Sequence, residues 1–237
     1  MNGTFTLPLQ DTIAARAGVE ERAAFLTRTY THLVGAILAF VGLEYILINS
    51  PLAAPIVRFA FGGNASWLLV LGAFMAVGWV ADRWAQSADS LGKQYAGLAL
   101  YVVAEAFLFL PLLYLAATAT TRDVIPSAAI VTVVVFTGLT AIVFLTRKDF
   151  SFLRGILGVA GLAALALIVA GALFGFNLGV FFSVAMVALA SGYVLYYTSQ
   201  VLLHYRTTQH VAAALALFAA IALLFWYVLR IFMSRRS

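Results

Sequence analysis

Cysteine is absent from the 237-residue chain, and charged residues make up only 10% of it. The first absence excludes disulfides and thiolate metal sites, and leaves the redox compartment open. The second excludes a water-soluble globule, since a soluble domain of ordinary composition carries roughly 25% charged residues. Sixty-four per cent of the chain is hydrophobic and its mean hydropathy is +1.04, so lipid must cover what polar surface cannot. The signatures of covalent chemistry are missing as well. There is no HExxH, no acid and histidine cluster with metal-ligand spacing, no GxSxG and no phosphate-binding loop. The chain is therefore expected to be non-enzymatic, with no cofactor and no bound metal. Its net charge of +5 and pI near 9.7 would suit nucleic acid, but no aromatic and basic stripe accompanies them. Lys and Arg gather in the cytoplasmic loops of membrane proteins for orientation, which explains the charge without a nucleic-acid partner.

A hydrocarbon layer about 30 Å thick is crossed by roughly 20 apolar residues in a helix. Seven stretches meet that test: about 29–50, 66–83, 95–118, 124–146, 153–174, 180–203 and 211–232. They predict an all-α membrane protein, a seven-transmembrane-helix bundle in one domain over 29–232. A polar tail over 1–28, with an amphipathic turn around Val19–Phe25, precedes it, and a basic tail over 233–237 follows. The tail has no apolar core of the signal-peptide kind. Nine of the Lys and Arg residues fall on the side of the N-terminus, two in the opposite loops and three at the C-terminal end. The loop bias predicts a cytoplasmic N-terminus, in a bacterial cytoplasmic (inner) membrane given the compact loops. Seven full crossings would then put the basic C-terminal tail outside, against that rule; the alternative is a last helix that stops short of crossing. Gly155, Gly158 and Gly161 share one side of the fifth span, where they are expected to let a neighbouring helix of the same chain approach. Pro111 is expected to kink the third span, and Trp67, Trp79, Trp84 and Trp226 to sit in interfacial belts or against lipid.

The most distinctive stretch runs from Phe136 to Gly155, through Thr146-Arg147-Lys148-Asp149-Phe150-Ser151. It resembles the Bax-inhibitor family of transmembrane proteins, in which a helix ending in a Thr-basic-basic-Asp-Phe-Ser turn leads into the next span. Phe25–Leu33 is similar to that family's entry to its first helix, Gly192–Gln200 to its sixth and Ala214–Phe232 to its seventh, so the likeness covers roughly residues 25–232. The resemblance implies a bundle whose last helix is central, surrounded by the other six. It also implies a proton-sensitive calcium leak in some members and partner regulation in others, the partners including a membrane protease in bacteria.

The chain departs from this pattern at one place that matters. Family members that sense pH carry two facing aspartates, one late in helix six and one in helix seven, and two nearby carboxyls titrate as a unit. Here the corresponding positions are Tyr197 and Ala220, with Leu223 at a nearby family asparagine. A phenol ionises only near pH 10 and alanine not at all. No Asp or Glu follows Asp149 in the chain, so no shift of register restores the pair.

Two acids remain inside the spans. Glu105 falls near the bilayer midplane and Glu44 nearer the outer end of the first span. A charge at the midplane costs about 2.5–3.5 kcal/mol on insertion scales, and intramembrane acids are functional by default. Glu105 is therefore expected to be protonated or hydrogen-bonded to a Tyr, Thr or Gln, whereas Glu44 is expected to reach interfacial water. Arg147, Lys148 and Asp149 read as a cytoplasmic anchor with the aspartate starting the next helix, or as a partner contact. His32, His204 and His210 read as solvated or headgroup-facing residues, and Ser191, Gly192 and Gln200 as packing and polar glue.

Two functions follow. The first is an accessory or regulatory partner of other membrane proteins, such as a membrane protease or a larger membrane complex. The alternative is a proton-sensitive calcium or cation leak in which Glu105 and Glu44 replace the lost acids. A wet conduit uniting either glutamate with Tyr197 would favour the second.

Overall fold

The computed structural model describes residues 12–87 and 90–234. The first eleven residues of the N-terminal tail, and Arg235 and Arg236 of the C-terminal tail, lie outside the described residues. Eight helices follow one another: α1 (Val19–Ile48), α2 (Ala53–Ala60), α3 (Asn64–Ala85), α4 (Leu91–Ala119), α5 (Val124–Thr146), α6 (Leu153–Phe174), α7 (Gly179–Leu203) and α8 (His210–Ser234). Seven of them, all but α2, are long and apolar enough to cross a membrane, as the hydropathy pattern requires. Among the described residues the only extended pairing is an isolated bridge between Ile13 and Arg206.

The differences from the expected elements have simple causes. α1 begins at Val19, ten residues before the apolar stretch, because Glu20 and Glu21 favour the positive end of a helix and carry it into the polar region. The short α2 was not foreseen between the first two spans. Its Ala53, Val57 and Ala60 recur at helical spacing and bury one face, mainly against α4. Arg147 closes α5 in the left-handed conformation (φ 51°), and Gly175 closes α6 in the same way (φ 73°), the usual device for turning the chain out of a helix. Pro111 lies inside α4, which continues unbroken through it.

α8 is the centre. In its most apolar stretch 72% of residues are buried, against 6% in α3. A helix that is apolar all round belongs in the interior, and α8 is lined on several sides by alanine: Ala212, Ala213, Ala214, Ala216, Ala220 and Ala222. Small side chains let helix backbones come close, which matters where lipid supplies no hydrophobic drive. α1, α3, α4, α5 and α7 pack around it, while α6 packs chiefly on α7 and α3. α8 starts beside the first half of α1, where His210 meets His32, and at 25 residues is about 37 Å long, so its C-terminal end lies at the far end of the bundle from the start of α1.

α3 and α4 cross closely at Gly97. A Cβ on Gly97 would overlap the Ala81 carbonyl and the Ala85 amide, so glycine is required there. Gly192 similarly admits Leu157 of α6, and Gly161 sits under the Tyr193 hydroxyl. Gly155 and Gly158 face open space instead, contrary to the expected packing within the chain.

Candidate functional site

A cavity of about 980 Å³ opens among α3, α4, α6, α7 and α8. Its lining runs from Trp67, Asn177 and Arg230 at the far end of the bundle, through aromatic and aliphatic walls, to Tyr101, Glu105, Tyr193, Tyr197 and Ala220 at mid-depth. Trp67 and Trp226 stack across it (ring centroids 6.1 Å apart), and Trp226 meets Phe109 edge-on at 4.8 Å. These two tryptophans therefore line the cavity. Trp79 and Trp84 do lie exposed, with the Arg83 guanidinium 4.3 Å over the Trp79 ring.

Glu105 occupies the middle of α4, fourteen residues from either end. It is 5% exposed, and its Oε2 has no hydrogen-bond partner. Tyr101, one helical turn earlier, is its side-chain hydrogen-bonding neighbour. Glu44 stands behind it on α1, close enough for the two charges to interact. Glu44 is only 4% exposed, and both of its carboxyl oxygens are unpartnered. This corrects the expectation that it reaches interfacial water: α4 packs along α1 and covers it. Among the described residues the one ion pair joins His204 to Asp149, so neither glutamate has a cation to neutralise it.

Tyr197 and Ala220 face the same cavity as Glu105, and Leu223 joins them. Tyr197 of α7 and Ala220 and Leu223 of α8 thus line one cavity, and the acid that lines it with them comes from α4. The Tyr197 ring stacks on Tyr193 at 6.0 Å and 15°, and Tyr193 donates to the Leu157 carbonyl (3.0 Å). Tyr101, Tyr193, Asn177 and Arg230 were not anticipated. Tyr101 was available from the sequence through its four-residue spacing to Glu105; Asn177 and Arg230 resemble ordinary loop and helix-end residues and carry no such signal.

The distinctive loop lies elsewhere, at the end where α1 begins. Arg147 and Lys148 are exposed. Asp149 Oδ1 accepts from the Ser151 amide (2.8 Å) and hydroxyl (2.5 Å), while Oδ2 meets His204 Nε2 at 2.9 Å. The Ser151 contacts, seconded by His204, hold the Asp149 carboxyl below its ordinary range. Gln200 donates to the Ser151 hydroxyl (2.9 Å), and the Phe150 amide donates to Ser199 Oγ (3.1 Å). Asp149 therefore organises the turn that precedes α6 and ties it to the end of α7; it does not cap α6 itself, whose first residue is Leu153. His204 is consequently a hydrogen-bonding partner of Asp149 at a solvent-exposed position. His32 and His210 face each other at 5.1 Å, with His32 Nε2 3.1 Å from the Tyr95 hydroxyl. Among the described residues no cluster of three or more His, Asp or Glu side chains could hold a metal.

Comparison with known proteins agrees with the resemblance seen in the loop. The family model described as inhibitor of apoptosis-promoting Bax1 matches residues 22–237. No curated protein matches the chain.

Proposed function

The chain belongs to the Bax inhibitor family, and from that premise we propose that it is a proton-sensitive cation pathway, calcium being the expected ion, with Glu105 and Glu44 as its acidic site. One observation carries this reading. Glu105, uncompensated and at mid-membrane depth, forms the floor of a large cavity that reaches one end of the bundle. A buried acid without a cation has a cost that packing alone does not require, and a cavity leading to it gives that acid access to ions.

Calcium takes oxygen ligands from carboxylates, hydroxyls and water, and Glu105 with Glu44 behind it offers carboxyl oxygens of that kind. Protons compete with the cation for the same oxygens, so acid lowers the flux. The aromatic floor of Tyr101, Tyr193 and Tyr197 closes the passage below the site. We place the N-terminus in the cytoplasm from the Lys and Arg bias, and the chain in a bacterial inner membrane from its compact loops, so the cavity opens outward. The chain itself performs no covalent chemistry in this proposal.

Calcium flux into liposomes containing the purified protein, measured across a pH range, tests the reading. Wild type is expected to conduct more at neutral pH than in acid, and Glu105→Gln to lose both the flux and its pH dependence. Flux in Glu105→Gln equal to wild type removes the reading.

A second reading is supported by a different observation. Gly155 and Gly158 open to the outside of α6, beside exposed Arg147, Lys148 and Arg154. Such a surface suits a helix of another membrane protein, and we propose it as the contact for an accessory or regulatory role toward a membrane protease or larger complex. Purification from native membranes with a stoichiometric partner, lost in Gly158→Leu, supports that role; a partner-free particle removes it.

A further inference from the structure

The cavity carries opposite charges at its two ends. Among the described residues its charged lining side chains are Glu105 at mid-depth and Arg230 at the far end of the bundle. Asn177, on the loop between α6 and α7, lines the same end and is exposed, so the cavity reaches the surface there. Arg230 is half-buried and has no ion-pair partner among the described residues. No Asp or Glu follows Asp149, so α6, α7, α8 and the loops between them offer it none. The Asn177 Oδ1 accepts from the Gly179 amide (3.0 Å), which leaves the Asn177 side-chain NH2 as a second donor at the mouth. Between the two ends the walls are apolar, with Phe74, Leu108, Ile168, Met186, Leu189 and Leu223 among them. Ala220 lies level with Glu105 in the lining, and the ten residues of α8 from 220 to 230 span about 15 Å.

We propose that this cavity binds a single-chain fatty carboxylate, its head on Arg230 and Asn177 and its alkyl chain along the apolar walls towards Glu105. The charges fix both the ligand and its direction. A guanidinium pairs with a carboxylate through two parallel hydrogen bonds, and at the mouth the head keeps its contact with water. Glu105, acidic and only 5% exposed, offers an anion nothing. An arginine that merely snorkels lays its stem on lipid and turns its head out to the interface, whereas Arg230 contributes to the cavity wall. The volume of about 980 Å³ lies within the range of roughly 300–1,000 Å³ that suits one small ligand. Binding does not depend on the cation reading; where that reading holds, a bound chain keeps ions from Glu105.

The test is quenching of tryptophan emission by stearate brominated at mid-chain, with the protein in phosphatidylcholine nanodiscs. Trp79→Phe with Trp84→Phe removes the two exposed tryptophans, so the emission comes from Trp67 and Trp226 of the cavity wall. Saturable quenching, reversed by unbrominated stearate, is the expected result. In that background Arg230→Gln should weaken the apparent Kd about tenfold, equivalent to ~1.4 kcal/mol, and Arg230→Lys should weaken it less. Ala172→Phe, which fills the lining from α6, should abolish saturable quenching, and the brominated methyl ester should quench without saturation. Quenching that never saturates, an unchanged Kd in Arg230→Gln, or equal saturable binding of the methyl ester or of a brominated alkylamine overturns the proposal. Loss of quenching in nanodiscs that contain phosphatidylglycerol assigns the cavity to membrane phospholipid and overturns the fatty-acid assignment. Because the readout involves no ion, failure of this site and failure of the cation reading are separate results.

Discussion

At the end of the bundle where α1 begins, polar side chains find one another: Asp149 with Ser151 and His204, Gln200 with Ser151, Glu21 with Thr12 and Thr207, His32 with Tyr95. Towards the far end, the helices part around the cavity, and Glu44 and Glu105 keep carboxyl oxygens that nothing satisfies. The first region has the family's distinctive sequence and serves to fasten loops to helices. The second has little distinctive sequence and holds the costly groups. The contrast teaches that a recognisable motif marks where the fold is tied, while the chemistry sits where a polar group lacks a partner.

The comparison can be broken hardest at the α3–α4 crossing. Gly97→Val forces a side chain into the Ala81 and Ala85 backbone and should destabilise the protein by about 3 kcal/mol, read as loss of folded protein on unfolding in detergent. The same kind of change at Gly155, which faces open space, should do the reverse, with Gly155→Ala gaining up to about 1 kcal/mol from helix propensity. Next in size is the cavity. Ala172→Phe places a ring into the lining contributed by α6 and should cut calcium flux about tenfold, equivalent to ~1.4 kcal/mol on the barrier, with melting unchanged.

The smallest effect is expected at the tied end. Asp149 is exposed, so Asp149→Asn should cost less than about 1 kcal/mol, measured by thermal unfolding. Because the folded Asp149 carboxyl lies below its ordinary value of 3.8, its contribution is fully present above that pH and disappears as pH falls through the lowered value. Wild type and Asp149→Asn should therefore differ at neutral pH and converge in acid.

The spans were readable because hydropathy records helix length in lipid directly, and the central place of α8 followed from the family likeness and is explained by its alanines. The short α2 was hidden because an eight-residue amphipathic helix is too brief for a hydropathy window. Glu105 stood out as an acid in an apolar run. The burial of Glu44 did not, because its distance from a helix end says nothing about which neighbour covers it. The cavity was the least visible feature of all: its walls are ordinary apolar residues, and only the splaying of α3 and α6 from the core makes them a lining.

The central claim is that the Glu105 floor communicates with one side of the membrane only. A single cysteine introduced by Ala219→Cys, a lining position on α8 in a chain with no cysteine of its own, measures this directly with a membrane-impermeant thiol reagent applied to each side in turn. Labelling from the side that carries the C-terminus, and none from the side that carries the N-terminus, is the expected result. A thiol that stays unreactive from both sides, or reacts from the N-terminal side, would contradict it.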